Sequence, residues 1–383
     1  MKLGILTTYH SFEYNYGAAL QGFALAKQLQ LMGHECYVIN YIGNEWTPSS
    51  NTMRDRLNYI FSGGNLTMKI LQRLYKRKRI QNHKVFQLFV DKNIPIYNRN
   101  NAYHYTDLKN IAKEFDGFIC GSDQIWNPLI HKRSNDKGYF LDFTTENQVK
   151  IAYAPSIGIN KMPEECIPEF KRLISNFKYL SVREESGAKL IKELTGQKAK
   201  VVLDPTLLLE PQEYESITTP LKSPHLPDKY ILCYKWGDIK ETNEEIRRLS
   251  KKFNLPVFAL PLSRTVYTDG YPILFNAGPS EFISLIKNAT LLCTDSFHAT
   301  VFALINNTPF ITFCRERPKK EINMNSRMMN LLEKLDLESR MIMPGEHFDD
   351  NKIFNINFEK ANKILVECRK DSFTYLTNAL NGK

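Results

Sequence analysis

Residues 291–313 read LLCTDSFHATVFALINNTPFITF. Leu291–Thr294 is short and apolar, the pattern of a buried strand, and a helix is expected from about Ala299 to Ile305. Pro309–Phe313 then reads as a second strand. Strand, helix and strand in such close succession form the crossover unit of a parallel sheet. Between the first strand and the helix stand Asp295, Ser296 and His298, delivered to a strand end where ligands bind in open α/β sheets.

The same alternation runs outward in both directions. Toward the N-terminus, strands are expected at Lys2–Thr8, Glu35–Tyr41, Asp116–Cys120, Lys150–Ala154, Tyr179–Val182 and Val201–Leu203. A helix from about Ala18 to Met32 separates the first two, with Gly33 as its stop signal. Thr219–Asp228 carries Pro220, Pro224 and Pro227 and reads as a linker. Beyond it come strands at Tyr230–Tyr234 and Pro256–Leu260, with a charged helix around Ile239–Phe253 between them. Met324–Leu335 and Phe358–Leu380 read as helices. The expectation is an α/β protein of two Rossmann-like domains facing a cleft. They divide at 1–222 and 229–350, and the terminal segment 351–383 forms a helix that packs back on the first domain.

A chain of 383 residues exceeds the size at which one core stops growing, which agrees with two domains. Hydrophobic residues at 43% and charged residues at 24% exclude a disordered or fibrous chain. The formal charge of +10 is concentrated. From Arg56 to Val90 every charged side chain is basic, and outside that segment the two signs nearly balance. Within it Lys69, Arg73, Lys76, Arg77, Lys78, Arg79 and Lys84 interleave with Met68, Ile70, Leu71, Leu74 and Tyr75. On a helix this gives a basic face beside an apolar one, which suits either an anionic membrane surface or a solvated helix face. No common nucleic-acid-binding motif accompanies it. The seven cysteines form no CxxC pair, so buried thiols in a reducing, cytoplasmic setting are expected, without a zinc site. No apolar run is long enough to span a bilayer.

Nucleotide-binding glycine signatures, the nucleophile elbow and the HExxH motif are all absent. Three further strand ends carry polar clusters. Asn15, Tyr16, Gly17 and Gln21 follow the first strand, in ordinary turn chemistry or around a ligand. Ser122, Asp123, Gln124, Trp126 and Asn127 follow Asp116–Cys120. Amides, a carboxylate and an aromatic face there suit sugar hydroxyls, whereas the plainer alternative is a helix cap with Trp126 tucked beneath it. Arg183 closes Tyr179–Val182 and could fork onto a phosphate or carboxylate, or pair with Glu184 or Glu185 at the surface. His298 is the side chain best suited to proton transfer near neutral pH.

The ordered set NYGAALQGFAL, FDGFICGSDQIWN, SVREESGAKLI, VVLDPTLLL and TDSFHATVFALINNTPFITF resembles the polysaccharide pyruvyl transferase family from Gly4 to about Leu337. The resemblance implies a glycosyltransferase-B-like fold. It also implies transfer of the pyruvyl group of phosphoenolpyruvate onto two hydroxyls of a sugar, as a cyclic ketal. The family's histidine falls on His298 and its strand-end arginine on Arg183. Some members carry a basic residue two positions before the histidine, where this chain has Ser296. Arg315, Arg317, Lys319, Lys320 and Arg327 follow as further cations.

Together these give His298 and Asp295 as catalytic candidates, with Asp295 orienting the histidine or serving the acceptor. Arg183, Ser296, Arg315 and Arg327 are the phosphoenolpyruvate candidates, and the two N-terminal clusters the acceptor candidates. Phosphoenolpyruvate enters as donor substrate, and neither cofactor nor metal is expected. The acceptor is a sugar, lipid-linked oligosaccharides included, with peripheral contact to the inner face of the membrane. Two rivals share the fold: a nucleotide-sugar glycosyltransferase and a glycan- or phospho-ligand-binding module without turnover.

Overall fold

The computed structural model describes residues 1–9, 15–43, 76–131, 134–222, 226–237, 239–262, 269–315 and 325–382. The first sheet contains β1 (Lys2–Leu6), β2 (Glu35–Val38), β3 (Gly117–Cys120), β4 (Val149–Ala152), β5 (Tyr179–Val182) and β6 (Lys200–Val201). Its spatial order is β2-β1-β3-β4-β5-β6. The second sheet contains β7 (Ile231–Tyr234), β8 (Val257–Ala259), β9 (Leu291–Thr294), β10 (Phe310–Phe313) and β11 (Met341–Ile342), in the order β11-β10-β9-β7-β8. All the pairings are parallel. The central strands β3, β7, β9 and β10 are buried along their whole length, because helices cover both faces.

Ends of elements are set by side chains. Helix Tyr16–Leu31 begins two residues earlier than expected because Asn15 accepts a hydrogen bond from the Ala18 amide. Helix Phe297–Asn306 likewise begins before Ala299, with Ser296 as its cap, and this brings His298 into the first turn. The strand expected at Val201–Leu203 stops at Val201, and the Leu203 amide goes to Ser372 Oγ instead. The strand expected to reach Tyr41 stops at Val38. Beyond it the backbone makes only isolated bridges, Val38 to Ile96 and Tyr41 to Tyr103.

Helix Tyr16–Leu31 is apolar nearly all round and almost wholly buried, which suits an element lying between two sheets. Tyr16 stacks on Phe282 at 4.3 Å between ring centroids, meets the Tyr234 ring edge-on, and donates its hydroxyl to the Ala277 carbonyl. An offset aromatic pair of this kind contributes ~0.5–1.5 kcal/mol beyond its area. One continuous core therefore runs from Leu3 and Ile5 in the first sheet to Leu232 and Leu292 in the second. Helix Phe358–Leu380 lies against the first sheet, donating from Tyr375 to the Ala152 carbonyl and from Arg369 to the Leu207 carbonyl.

Helix Lys76–Asn93 holds the described part of the basic segment. Its inner face is committed to the protein: Phe89 and Val90 are buried, and Asn82 donates to the Ala277 carbonyl. Arg77, Ile80, Lys84 and Leu88 face outward. Lys69 and Arg73, with the apolar residues from Met68 to Tyr75, lie outside the described residues, as do Arg317, Lys319 and Lys320. Among the described residues no helix is long and apolar enough to cross a membrane.

Candidate active site

The carboxyl ends of β5 and β6 carry Arg183 and Asp204, both buried. Arg183 Nη1 donates to Asp204 Oδ2 at 2.6 Å. The remaining oxygen of Asp204 accepts from the Thr206 amide and hydroxyl, at 3.0 and 2.6 Å. Ser122 Oγ adds a further contact at 2.8 Å. From the other sheet, His298 Nε2 comes to 3.7 Å from Asp204 Oδ2, an ion-pair distance rather than a hydrogen bond. Burial alone would raise the Asp204 pKa, but His298, Arg183 and Thr206 outweigh it and hold the carboxyl well below its usual range. Gly17 makes the approach of His298 possible. A Cβ at that position would lie 2.1 Å from His298 Nδ1.

Two guanidinium groups flank Asp123, which has a φ of 66°. Arg183 Nη2 is 3.6 Å and Arg327 Nη1 3.9 Å from its Oδ1. Arg183 also lies over the Phe297 ring at 4.6 Å. The two arginines differ sharply in compensation. Burial disfavours the charge on Arg183, but Asp204, Asp123 and Glu184 outweigh it and raise its pKa. Arg327 is pushed down to about 10 by burial and by the like charge of Arg183. Arg183 Nε and Nη2, Arg327 Nε and His298 Nε2 are buried without a hydrogen-bond partner. Arg183 and Arg327 border a cavity of about 210 Å³ that Asp204, Phe297, Asn330 and Lys334 also line, together with Glu185, Glu333 and an apolar wall from Val201 to Leu203. Unsatisfied buried guanidinium donors beside a cavity make a receptor for an anion.

Several expected roles change. Asp295 does not face His298; its two oxygens accept the Trp236 and Gly237 amides, both at 2.7 Å. Asp204 takes the place beside the histidine. Nothing in VVLDPTLLL marks Asp204 as a site residue, because its partners arrive from β5 and from the other sheet. Ser296 is a helix cap, and Arg315 lies over the Trp236 ring, away from Arg183. Glu184 is not a surface partner of Arg183. It is buried and its Oε1 accepts from Ser156 Oγ and the Ile157 and Gly158 amides.

Of the acceptor candidates, Trp126 is a core residue, stacked on Phe140 at 4.9 Å with its indole N–H donated to the Tyr139 carbonyl. Tyr16 belongs to the shared core. Gln21 is buried, donating to Thr7 and Thr8 and accepting the Ser122 amide, which ties the β1 and β3 loops together. Gln124 and Asn127 bond to each other, and Asn15 is a cap. Asp123 and Ser122 of this group reach the arginines, Ser122 Oγ accepting from Arg183 Nη1 at 3.5 Å. Among the described residues no group of three or more His, Cys, Asp or Glu side chains is placed to hold a metal ion.

Two parallel α/β sheets whose strand ends meet at a cavity define the two-domain glycosyltransferase-B fold. Solved structures agree with it. UDP-GlcNAc 2-epimerase from Neisseria meningitidis, bound to UDP-GlcNAc, matches with a TM-score of 0.51 at 13% identity, covering 100% of both chains. The S. aureus MnaA–UDP structure matches with a TM-score of 0.51 at 12% identity, over 99% of this chain and 96% of the other. Within this fold the chain belongs to the polysaccharide pyruvyl transferase family, whose model matches residues 15–314. No curated protein matches it. Arg327 lies beyond the matched span.

Proposed function

We propose that the chain transfers the pyruvyl group of phosphoenolpyruvate onto two hydroxyls of a sugar, in the assembly of a surface polysaccharide. The observation that carries this reading is Arg327. A buried guanidinium near Arg183, its Nε without a hydrogen-bond partner and its Nη1 3.9 Å from Asp123, suits a multiply charged anion, and phosphoenolpyruvate offers a phosphate and a carboxylate. The donor cavity draws on both halves of the molecule, with Arg183 and Asp204 from one and Phe297 and Arg327 from the other.

In the reaction, C3 of the donor gains a proton and becomes a methyl group. C2 forms two C–O bonds to the sugar while its bond to the phosphate oxygen breaks. The two hydroxyl protons end on the methyl group and on the released phosphate. His298 carries the proton transfers, Asp204 holds the imidazole in place and stabilises its protonated form, and the arginines clamp the anion.

Titration calorimetry with phosphoenolpyruvate tests the donor. A charge-assisted contact contributes ~1.5–3 kcal/mol, so Arg327→Met is expected to weaken binding roughly tenfold to a hundredfold. The same change removes a buried charge whose ion pair with Asp123 is long, at 3.9 Å, so the ligand-free melting temperature should hold or rise. Absence of phosphoenolpyruvate binding to the wild type, or unchanged affinity in the variant, refutes the reading. Gly17→Ala is a second test. Alanine favours the helix by up to ~1 kcal/mol, yet its Cβ must displace His298. Turnover should fall by about 10²-fold; normal turnover would show that His298 need not occupy this position.

The membrane contact narrows to the outward strip Arg77, Ile80, Lys84 and Leu88, since the inner face is already covered. Each basic residue at an anionic surface contributes ~1 kcal/mol. Cosedimentation with anionic vesicles, lost at high salt and absent with neutral vesicles, is the expected result. Binding indifferent to lipid charge would refute it.

A further inference from the structure

The second sheet has its own switch point. From β7 the chain moves outward to β8, while β9, β10 and β11 extend on the opposite side, so the strand order reverses between β7 and β9. Ligands in open α/β sheets bind in the crevice beyond such a reversal. Trp236 stands there, two residues past β7, and Asp295 directly follows β9. The Asp295 carboxylate grips the Trp236 and Gly237 amides, which fixes the backbone that carries the indole. Arg315 lies over the ring at 5.4 Å and donates its Nε to the Asp295 carbonyl at 3.2 Å, and its own amide is held by Asn325 Oδ1. The indole thus has a rigid seat and a guanidinium beside it, but it remains 37% exposed.

Such effort spent on an exposed aromatic is uncommon, since solvent-facing indoles cost free energy unless something covers them. The seat of Trp236, though not the indole itself, is joined to the donor cavity. Phe297 and Arg327 line that cavity, and the same two residues line a narrow recess with Asp295, Arg315 and Asn325.

We infer that Trp236 is the stacking platform for a pyranose ring of the acceptor, with Arg315 as hydrogen-bond donor to its hydroxyls. The inference rests on the pyruvyl-transfer reading and places the acceptor on the second sheet, not at the Trp126 cluster. A sugar fits this chemistry because its C–H face is apolar and its rim accepts hydrogen bonds.

The chain has three tryptophans, Trp46, Trp126 and Trp236, so fluorotryptophan labelling gives a short ¹⁹F spectrum, assigned with Trp46→Phe and Trp236→Phe. The labelled protein, with phosphoenolpyruvate present, is titrated with methyl β-galactoside, methyl β-glucoside and methyl N-acetylmannosaminide, and with glycerol as a polyol lacking a ring face. At least one glycoside should shift the Trp236 resonance saturably and leave Trp126 in place, and glycerol should not. Trp236→Ala should weaken that glycoside about tenfold by calorimetry, and Trp236→Phe should lose less. A silent Trp236 resonance with all three glycosides, or undiminished affinity in Trp236→Ala, overturns the inference. Phosphoenolpyruvate affinity, measured on the same samples, separates the two readings: retained donor binding with a silent Trp236 sinks only the platform, and absent donor binding sinks the transfer reaction.

Discussion

Replacement of His298 by alanine is expected to lower turnover by ~10²–10⁴, the usual contribution of a positioned acid–base group, with phosphoenolpyruvate affinity changed only a few-fold. The separation of the two effects follows from the geometry. His298 faces Asp204 through a single nitrogen, whereas Arg183 and Arg327 line the cavity and supply several donors to it. Single-turnover kinetics on the variant, alongside calorimetry, reads both quantities. A folded His298→Ala protein that turns over normally would remove the histidine from the mechanism, and Asp204 would lose its reason for standing beside it.

Asp204→Ala is expected to cost ~3–5 kcal/mol of folding stability, more than a typical core substitution, because it strands the buried Arg183 charge. It also changes the response to acid. The folded-state pKa of Asp204 lies below the unfolded value, so its contribution is complete above the unfolded pKa and is lost as pH falls beneath it. The wild type should therefore lose stability steeply from about pH 5 downward, and Asp204→Asn should show a shallower slope over that range. Urea midpoints measured across this interval decide the matter. Equal slopes would mean that the carboxylate is not ionised in the fold.

What could be read from sequence divides along physical lines. Tyr179–Val182, Leu291–Thr294 and Phe358–Leu380 have the bounds expected, because an apolar run or a sustained helical period carries its own ends. The starts at Tyr16 and Phe297 depend on whether Asn15 and Ser296 turn back to cap, and composition does not show that. Trp126 illustrates a deeper limit. Set among Ser122, Asp123 and Asn127 it reads as a ligand contact ahead of core, and its stacking partner Phe140 overturns that in favour of core. His298 and Arg183 were visible because each ends a strand in a polar cluster. The partnership with Asp204 was not, since it forms only when β6 meets a helix from the other sheet.

Helix Phe358–Leu380 has a consequence for how the protein is made. Ser372 supplies the acceptor for the Leu203 amide, and Tyr375 bonds to the Ala152 carbonyl, so the first sheet is finished by residues near the far end of the chain. At ~5–20 residues per second, ribosomal synthesis leaves that sheet without its cover for on the order of ten seconds or more. Over that interval apolar surface around β4 and β6 is open to solvent, and a nascent chain halted after the second sheet carries a first half that cannot close. The two bonds span 223 and 169 residues, so synthesis of this helix is a folding step for strands laid down long before.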